Sequence, residues 1–127
     1  MEPLGVVLLL ATLLSAGQGD RVPPGEWGGQ GARLTVEADR AAVELDCAHG
    51  TVEAMSLDDQ GRFDVAGRFA REHGGPIRKD EKEESVAARY RGAVHGQTMT
   101  LEIVVESGTL GPFELTLGGN ARLRKCR

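Results

Sequence analysis

Apolar residues recur at every second position along most of the chain, from about residue 32 to the C-terminus. The clearest stretch is 98–106, where Met99, Leu101, Ile103 and Val105 alternate with neighbours that are mostly polar. Successive side chains of a β-strand point to opposite faces, so a period of two is typical of a strand with one buried face. The pattern therefore predicts an antiparallel all-β protein.

Short turns that carry Gly or Asp divide this pattern into eight predicted strands. The third of them changes phase by one residue, as a β-bulge would require. Strands joined mostly by short turns form a meander, and closing a meander into a barrel removes its exposed edges. We therefore predict a small eight-stranded antiparallel barrel. The predicted strands are 32–38, 41–47, 51–57, 62–70, 86–95, 98–106, 113–117 and 121–126.

Two glycines, Gly67 and Gly92, lie in the middle of the fourth and fifth predicted strands. A mid-strand glycine weakens a flat sheet but permits the strong coiling that a small barrel needs. Phe69 and Tyr90 lie two residues from these glycines and are expected to cover the gaps beside them. We therefore expect the fourth and fifth strands to be neighbours, with the glycines near their pairing.

The inward positions of the predicted strands are mostly bulky and apolar. An eight-stranded barrel has room inside either for its own side chains or for one small ligand. Few inward polar groups are available to orient a ligand, so the composition favours a filled core and leaves a ligand carrier as the alternative. The predicted inward residues are Leu34, Val36, Val43, Leu45, Val52, Leu57, Phe63, Val65, Phe69, Tyr90, Val94, Met99, Leu101, Ile103, Val105, Phe113, Leu115 and Leu117.

The N-terminus is typical of an export signal: an apolar run at 5–14 is followed by three small residues. Such a run rises about 15 Å as a helix, half of the thickness that a membrane anchor must cross. We interpret 1–19 as a signal peptide, against the alternative of a buried N-terminal element, although the run has no positive flank. The remaining chain is then an N-terminal extension, 20–31, and a single barrel domain, 32–127, that is secreted or periplasmic.

The chain has two cysteines, Cys47 and Cys126. In an exported protein such a pair predicts a disulfide bond. The bond would close a loop of about 80 residues, which chain-entropy estimates equate with roughly 4 to 5 kcal/mol. A metal site that also uses His49 is the alternative, but the paired C-x-x-C spacing of zinc sites is missing.

The formal net charge of −4 argues against a nucleic-acid partner, because phosphates usually recruit a clearly basic surface. The local exceptions are the C-terminal residues and the charged segment 71–85, which is predicted to be a solvated loop. These two regions are the predicted contact surfaces for a partner. The residues that would make the contact are Arg78, Lys79, Lys82, Lys125 and Arg127.

A G-x-W motif ending at Trp27 precedes the first predicted strand, and Arg122 and Arg124 lie on the last one. This arrangement resembles the signature of lipocalin-like (calycin) barrels. The resemblance implies that Trp27 plugs the closed end and that an arginine of the final strand stacks on it. Longer motifs, such as those at 45–50 and 90–96, are similar to those of a group of small exported bacterial proteins with no assigned activity.

Catalytic motifs are missing from the sequence: it has no G-x-S-x-G elbow, no phosphate-binding glycine loop and no H-E-x-x-H helix. Its three histidines lie beside glycines, as exposed turn residues do. We therefore expect no enzyme, no cofactor and no metal. Two functions remain: a monomeric, exported binding module for a protein partner, such as an inhibitor, or a carrier of a small apolar ligand. An enclosed apolar pocket would favour the carrier, and a packed interior the binding module.

Overall fold

The computed structural model describes residues 20–72 and 84–126, which form ten β-strands and no helix. The predicted signal peptide, most of the charged segment 71–85 and Arg127 lie outside the described residues. The strands are β1 (Asp20–Arg21), β2 (Gly25–Gly29), β3 (Ala32–Val36), β4 (Arg40–Leu45), β5 (Ala48–Glu53), β6 (Ser56–Leu57), β7 (Arg62–Arg71), β8 (Ser85–His95), β9 (Thr98–Val105) and β10 (Gly108–Leu117).

Eight of these strands close into an antiparallel barrel in the order β10-β2-β3-β4-β5-β7-β8-β9. Each pairs with the next barrel strand along the chain, and the last, β10, pairs with the first, β2. This closing seam is short, with Thr116 opposite Gly28 and Leu117 opposite Trp27. The predicted fold class, an eight-stranded antiparallel meander closed into a barrel, is confirmed.

The first and last barrel strands differ from those predicted. The strand β2 lies within 20–31, which was expected to be an extension outside the barrel, and its sequence GEWGG has no alternation to reveal a strand. The last predicted strand, 121–126, does not join the barrel and makes only one isolated bridge, between Arg122 and Gln30. The prediction of a strand here was wrong. The residues of this segment alternate as those of a strand do, but the segment lies along β2 without joining the sheet.

Two turns also lie elsewhere than predicted. The turn between β4 and β5 is formed by Asp46 and Cys47, with φ of 58° at Cys47, whereas 48–50 was predicted to be the turn and belongs to β5. The residues 108–112 were expected to form a connection but belong to β10, which has a register shift between Leu110 and Phe113. In both places, residues that were predicted to form a turn or connection pair as part of a strand.

The barrel interior is packed with apolar side chains. All predicted inward residues belong to one cluster: five of them, Leu57, Val65, Val94, Phe113 and Leu117, are partly buried, and the rest are buried. No polar or charged residue is buried among those described. The largest fully buried side chains are Trp27, Tyr90, Leu34, Met99, Leu101, Ile103, Leu115 and Val43.

One end of the barrel is covered by the chain segment before β2, and we name it the capped end. Here β1 pairs with β6, and the amide of Val22 donates a 3.0 Å hydrogen bond to the carbonyl of Met55. Both side chains are buried in the core. Trp27 is fully buried, and its Nε1 donates to the carbonyl of Pro23 at 3.0 Å. The opposite end carries Cys47, and we name it the disulfide end.

Candidate functional site

A half-open cleft of about 930 Å³ lies at the disulfide end, between β8 and the turn that joins β9 to β10. We name it the end cleft. The cleft forms because the paired part of β8 extends further along β7 than along β9. Strand β8 pairs with β7 from residue 85 onward, but it pairs with β9 only from Arg89 onward. The residues that line it are Phe69, Arg71, Glu84, Val86, Ala87, Val105, Glu106 and Ser107.

The floor of the end cleft is apolar. Phe69 of β7 and Val86 of β8 are register partners, so their side chains point to the same face of the sheet. Val105, at the end of β9, continues the inward row of its strand. Phe69 and Val105 are buried, whereas Val86 is 48% exposed and is the exposed large hydrophobic residue of the described chain. At the cleft, Val86 therefore lies on the inward face of the sheet but is exposed to solvent.

Charged side chains surround this floor. The guanidinium of Arg71 lies over the ring of Phe69, 5.5 Å from its centroid, in cation–π geometry. Glu84 and Glu106 are exposed at the edges of the cleft. An apolar floor with a few polar groups around it is suited to hold an amphipathic ligand or peptide by contact.

The disulfide bond joins the C-terminus to the β4–β5 turn. Cys47 and Cys126 are bonded, with their Cα atoms 5.0 Å apart, which confirms the predicted pairing. The segment 118–126, which we name the strap, lies along β2: the amide of Arg122 donates to the carbonyl of Gly29 at 3.0 Å. A Cβ atom at Gly28 would lie 2.3 Å from the carbonyl oxygen of Gly119, so only glycine permits this close contact.

The two arginines expected near Trp27 contact other groups. Arg122 binds β2 and the following turn through its backbone, and the amide of Arg124 donates to the carboxylate of Asp46. Among the described residues, the guanidinium that lies over an aromatic ring belongs to Arg71 and not to either of these. A contact of Arg122 or Arg124 with the ring of Trp27 is not found among the cation–π contacts of the described residues, and the stack that the calycin resemblance implied stays a prediction.

Glu72 ties the strap to the end of β7. Its Oε2 accepts a 2.9 Å hydrogen bond from Nζ of Lys125 and lies 2.8 Å from Nδ1 of His49. These contacts, that of Lys125 first, hold the pKa of the Glu72 carboxyl below its ordinary value. Lys125 also donates to the carbonyl of Leu45 at 3.1 Å. Within the described residues, no group of three or more His, Cys, Asp or Glu side chains could hold a metal ion.

We expect Glu72→Gln to change how stability depends on pH. The folded-state pKa of Glu72 is lowered from 4.5, so its stabilising contribution is complete above that pH and is lost as the pH falls through the lowered value. Urea unfolding of the variant should show a flatter decline of the unfolding free energy in this acidic range. Glu44→Gln, which removes an exposed glutamate 3.8 Å from Arg33, is the matched control and should behave as the wild type. An unchanged acidic decline in Glu72→Gln would contradict this role.

The other predicted contact residues, Arg78, Lys79, Lys82 and Arg127, lie outside the described residues. Sequence reasoning placed Phe69, Val86 and Val105 in strands but did not find the end cleft. The sequence held one signal for the cleft, which is the register of the hairpin formed by β8 and β9. Because His95 lies opposite Thr98, β9 ends at Val105 before it reaches the level of Ser85, the first residue of β8.

Comparison of the chain with protein-family models, curated proteins and solved structures finds no match. The described residues contain no helix that could cross a membrane. The fold and its covalent bond define the class of the protein: a small, closed, disulfide-bonded antiparallel β-barrel.

Proposed function

We propose that the protein is a non-catalytic, exported binding module that contacts a partner protein through the end cleft. The observation that carries the proposal is the contrast between the barrel interior and its end. The interior is filled by large buried side chains such as Trp27 and Tyr90, whereas the end cleft is half-open and exposes Val86. Exposed apolar surface with a polar rim is typical of interaction sites.

Export is part of the proposal, and the disulfide bond supports it. Disulfides form and persist in oxidising compartments, so the bond between Cys47 and Cys126 is compatible with a secreted or periplasmic protein. The apolar run at 5–14 supports the same location. We further propose that the protein acts as a monomer and binds neither nucleic acid nor a cofactor, in keeping with its mildly acidic charge.

A carrier of a small apolar ligand is the second candidate, and the size of the end cleft favours it. The volume of about 930 Å³ lies within the range of roughly 300 to 1,000 Å³ that small-molecule sites occupy. Against this candidate, the cleft lies at the barrel end and is half-open, whereas a carrier would enclose its ligand. Both candidates use the same cleft, so one pair of variants tests them together.

The test is capture of a partner from the culture medium or periplasm by the protein purified after expression of the full chain. We expect one polypeptide to be retained in a fixed ratio, and Val86→Lys to lose it, because a charge would then lie on the apolar floor. Ala42→Lys adds the same charge to the exposed outer face of β4 and should retain the partner. Equal capture by both variants would contradict a site at the cleft. A bound small molecule released on denaturation, with no polypeptide captured, would favour the carrier.

A further inference from the structure

We infer that the end cleft binds a loop of the partner that carries a large apolar side chain with a Lys or Arg on each side of it. This inference rests on the proposed function and specifies the chemistry of the partner. Its support is the position of two exposed carboxylates, those of Glu84 and Glu106, at the edges of the apolar floor. Complementary charges across an interface set its register and exclude other partners.

Val86 is the point at which the apolar side chain of the partner would make contact. It is half exposed, whereas its register partner Phe69 is buried. The guanidinium of Arg71 already lies over the ring of Phe69. A cation of the partner is therefore better placed at a carboxylate than on this ring, and the free apolar surface of the cleft is mainly that of Val86. Covering Val86 with an apolar side chain removes both groups from water.

The two carboxylates lie on different sides of Val86. Glu84 precedes it by two residues, which is a distance of about 6 to 7 Å in an extended chain. Glu106 belongs to the turn that faces β8 across the cleft. The register of β8 with β9, continued beyond their last pair, puts Glu106 level with Ala87, the residue after Val86. A partner with one cation on each side of its apolar side chain matches this arrangement.

The charges of the cleft favour a basic segment over an acidic one. Neither Glu84 nor Glu106 has an ion-pair partner within 20–72 and 84–126. With the guanidinium of Arg71, the described lining carries two negative charges and one positive charge. The chain as a whole has a formal net charge of −4, which adds a weak attraction for basic partners. An acidic segment would meet repulsion from both carboxylates.

A second copy of the protein is the competing occupant, because Leu123 of the strap lies between Arg122 and Arg124. The strap, however, is held against its own barrel. The amide of Arg122 donates to β2, the amide of Arg124 donates to the carboxylate of Asp46, and Leu123 is half-buried. The strap is therefore not free to project its leucine into the cleft of another copy. A loop of a different protein is the occupant that the cleft favours.

The probe for this inference is the peptide Lys-Gly-Leu-Gly-Lys with both termini blocked, whose glycines leave the side chains free to reach the cleft. In ¹⁵N-labelled protein purified after expression of the full chain, we expect saturable amide shifts at Val86 and Glu106. A peptide with Gln in place of both lysines should bind about fivefold more weakly, because exposed ion pairs make modest contributions, and one with Glu should bind more weakly still. A peptide with Gly in place of Leu should also bind more weakly, because it lacks the apolar contact.

Matched protein variants locate the preference for lysine. Glu84→Gln combined with Glu106→Gln should abolish it, so that the Lys and Gln peptides bind equally. Glu53→Gln combined with Glu114→Gln removes the same net charge from exposed positions outside the cleft and should keep the preference. All four carboxylates are exposed, so both double variants should melt at the temperature of the wild type.

The outcomes separate this inference from the proposed function. Equal binding of the Lys and Gln peptides to the wild type, a preference that survives in Glu84→Gln/Glu106→Gln, or the absence of saturable shifts would overturn the inference. Amide shifts at the cleft that depend on protein concentration without peptide would overturn it in favour of a second copy. If the partner is lost by Val86→Lys but captured equally by Glu84→Gln/Glu106→Gln and the wild type, the proposed function stands and the basic loop is excluded. Equal capture by Val86→Lys and Ala42→Lys removes the proposed function itself.

Discussion

Replacing Cys47 and Cys126 together by alanine is expected to lower the melting temperature by roughly 10 to 30 °C. The bond spans 79 residues of sequence, and removing a native disulfide from a small domain typically costs about 2 to 4 kcal/mol. For a domain of this size, each kcal/mol shifts the melting temperature by about 4 to 8 °C. Thermal unfolding followed by circular dichroism, at equal protein concentrations, measures the shift.

The structure gives a local reason for this effect besides the entropy of the unfolded chain. The strap lies over the short seam at which Gly28 and Trp27 pair with β10. The disulfide bond holds the end of the strap at the β4–β5 turn, so its loss should loosen the seam first. Amide hydrogen exchange of the double variant should therefore speed up at β2 before it speeds up at β7.

Lys125→Ala is the matched control for the disulfide prediction. It removes the hydrogen bonds of the strap to Glu72 and Leu45 but keeps the covalent bond. We expect a decrease in melting temperature several times smaller than that of the double cysteine variant. Equal melting of the double variant and the wild type would contradict a stabilising disulfide, and a metal that copurifies through the two sulfurs would contradict the bond itself.

Much of the barrel could be predicted from hydrophobic periodicity because its longest strands bury one face and expose the other. The strands β7, β8 and β9 alternate regularly, and their predicted bounds differ from the observed ones by one residue at most. Periodicity failed at β2, where three of five residues are glycines and Trp27 is the one large apolar side chain. It also failed at the strap, whose alternating residues contact the outside of the sheet.

The candidate site was missed for a different reason. The end cleft depends on where neighbouring strands stop relative to one another, and the alternation that places Val86 and Val105 on the inward face does not contain that information. Register follows from turn geometry and from bulges, such as the shift between Leu110 and Phe113 in β10. A residue can therefore have the pattern of a core position and still lie at the surface, as Val86 does.

The glycine expectation was partly confirmed. As predicted, β7 and β8 are neighbours, and Tyr90 covers Gly67: a Cβ atom there would lie 2.8 Å from Cε2 of Tyr90. The same ring reaches β5, where a Cβ at Gly50 would lie 2.1 Å from the tyrosine oxygen. Beside Gly92 the nearest side chain is neither Phe69 nor Tyr90 but Phe63, which is the register partner of that glycine.

Tyr90→Ala is consequently expected to lower the unfolding free energy by about 3 to 5 kcal/mol, the usual cost of removing a large buried aromatic side chain. Tyr90 is fully buried, and its removal leaves Gly50 and Gly67 facing a cavity that neither glycine can fill. Its hydroxyl also donates a 2.7 Å hydrogen bond to the carbonyl of Arg68. Urea unfolding at neutral pH measures the loss.

Tyr90→Phe separates the ring from the hydroxyl. It keeps the cover over both glycines and should cost only about 1 to 2 kcal/mol, the value of a hydrogen bond whose acceptor is left unpaired. Burial raises the pKa of Tyr90 to about 12 from 10.0, so the wild type should lose stability as the pH rises between these values. The phenylalanine variant should lack this alkaline loss. Because Tyr90 is the single tyrosine of the chain, tyrosinate absorbance of the wild type measures the ionisation of Tyr90 directly. Equal destabilisation by Tyr90→Ala and Tyr90→Phe would show that the hydroxyl, and not the ring over the glycines, holds β5, β7 and β8 together.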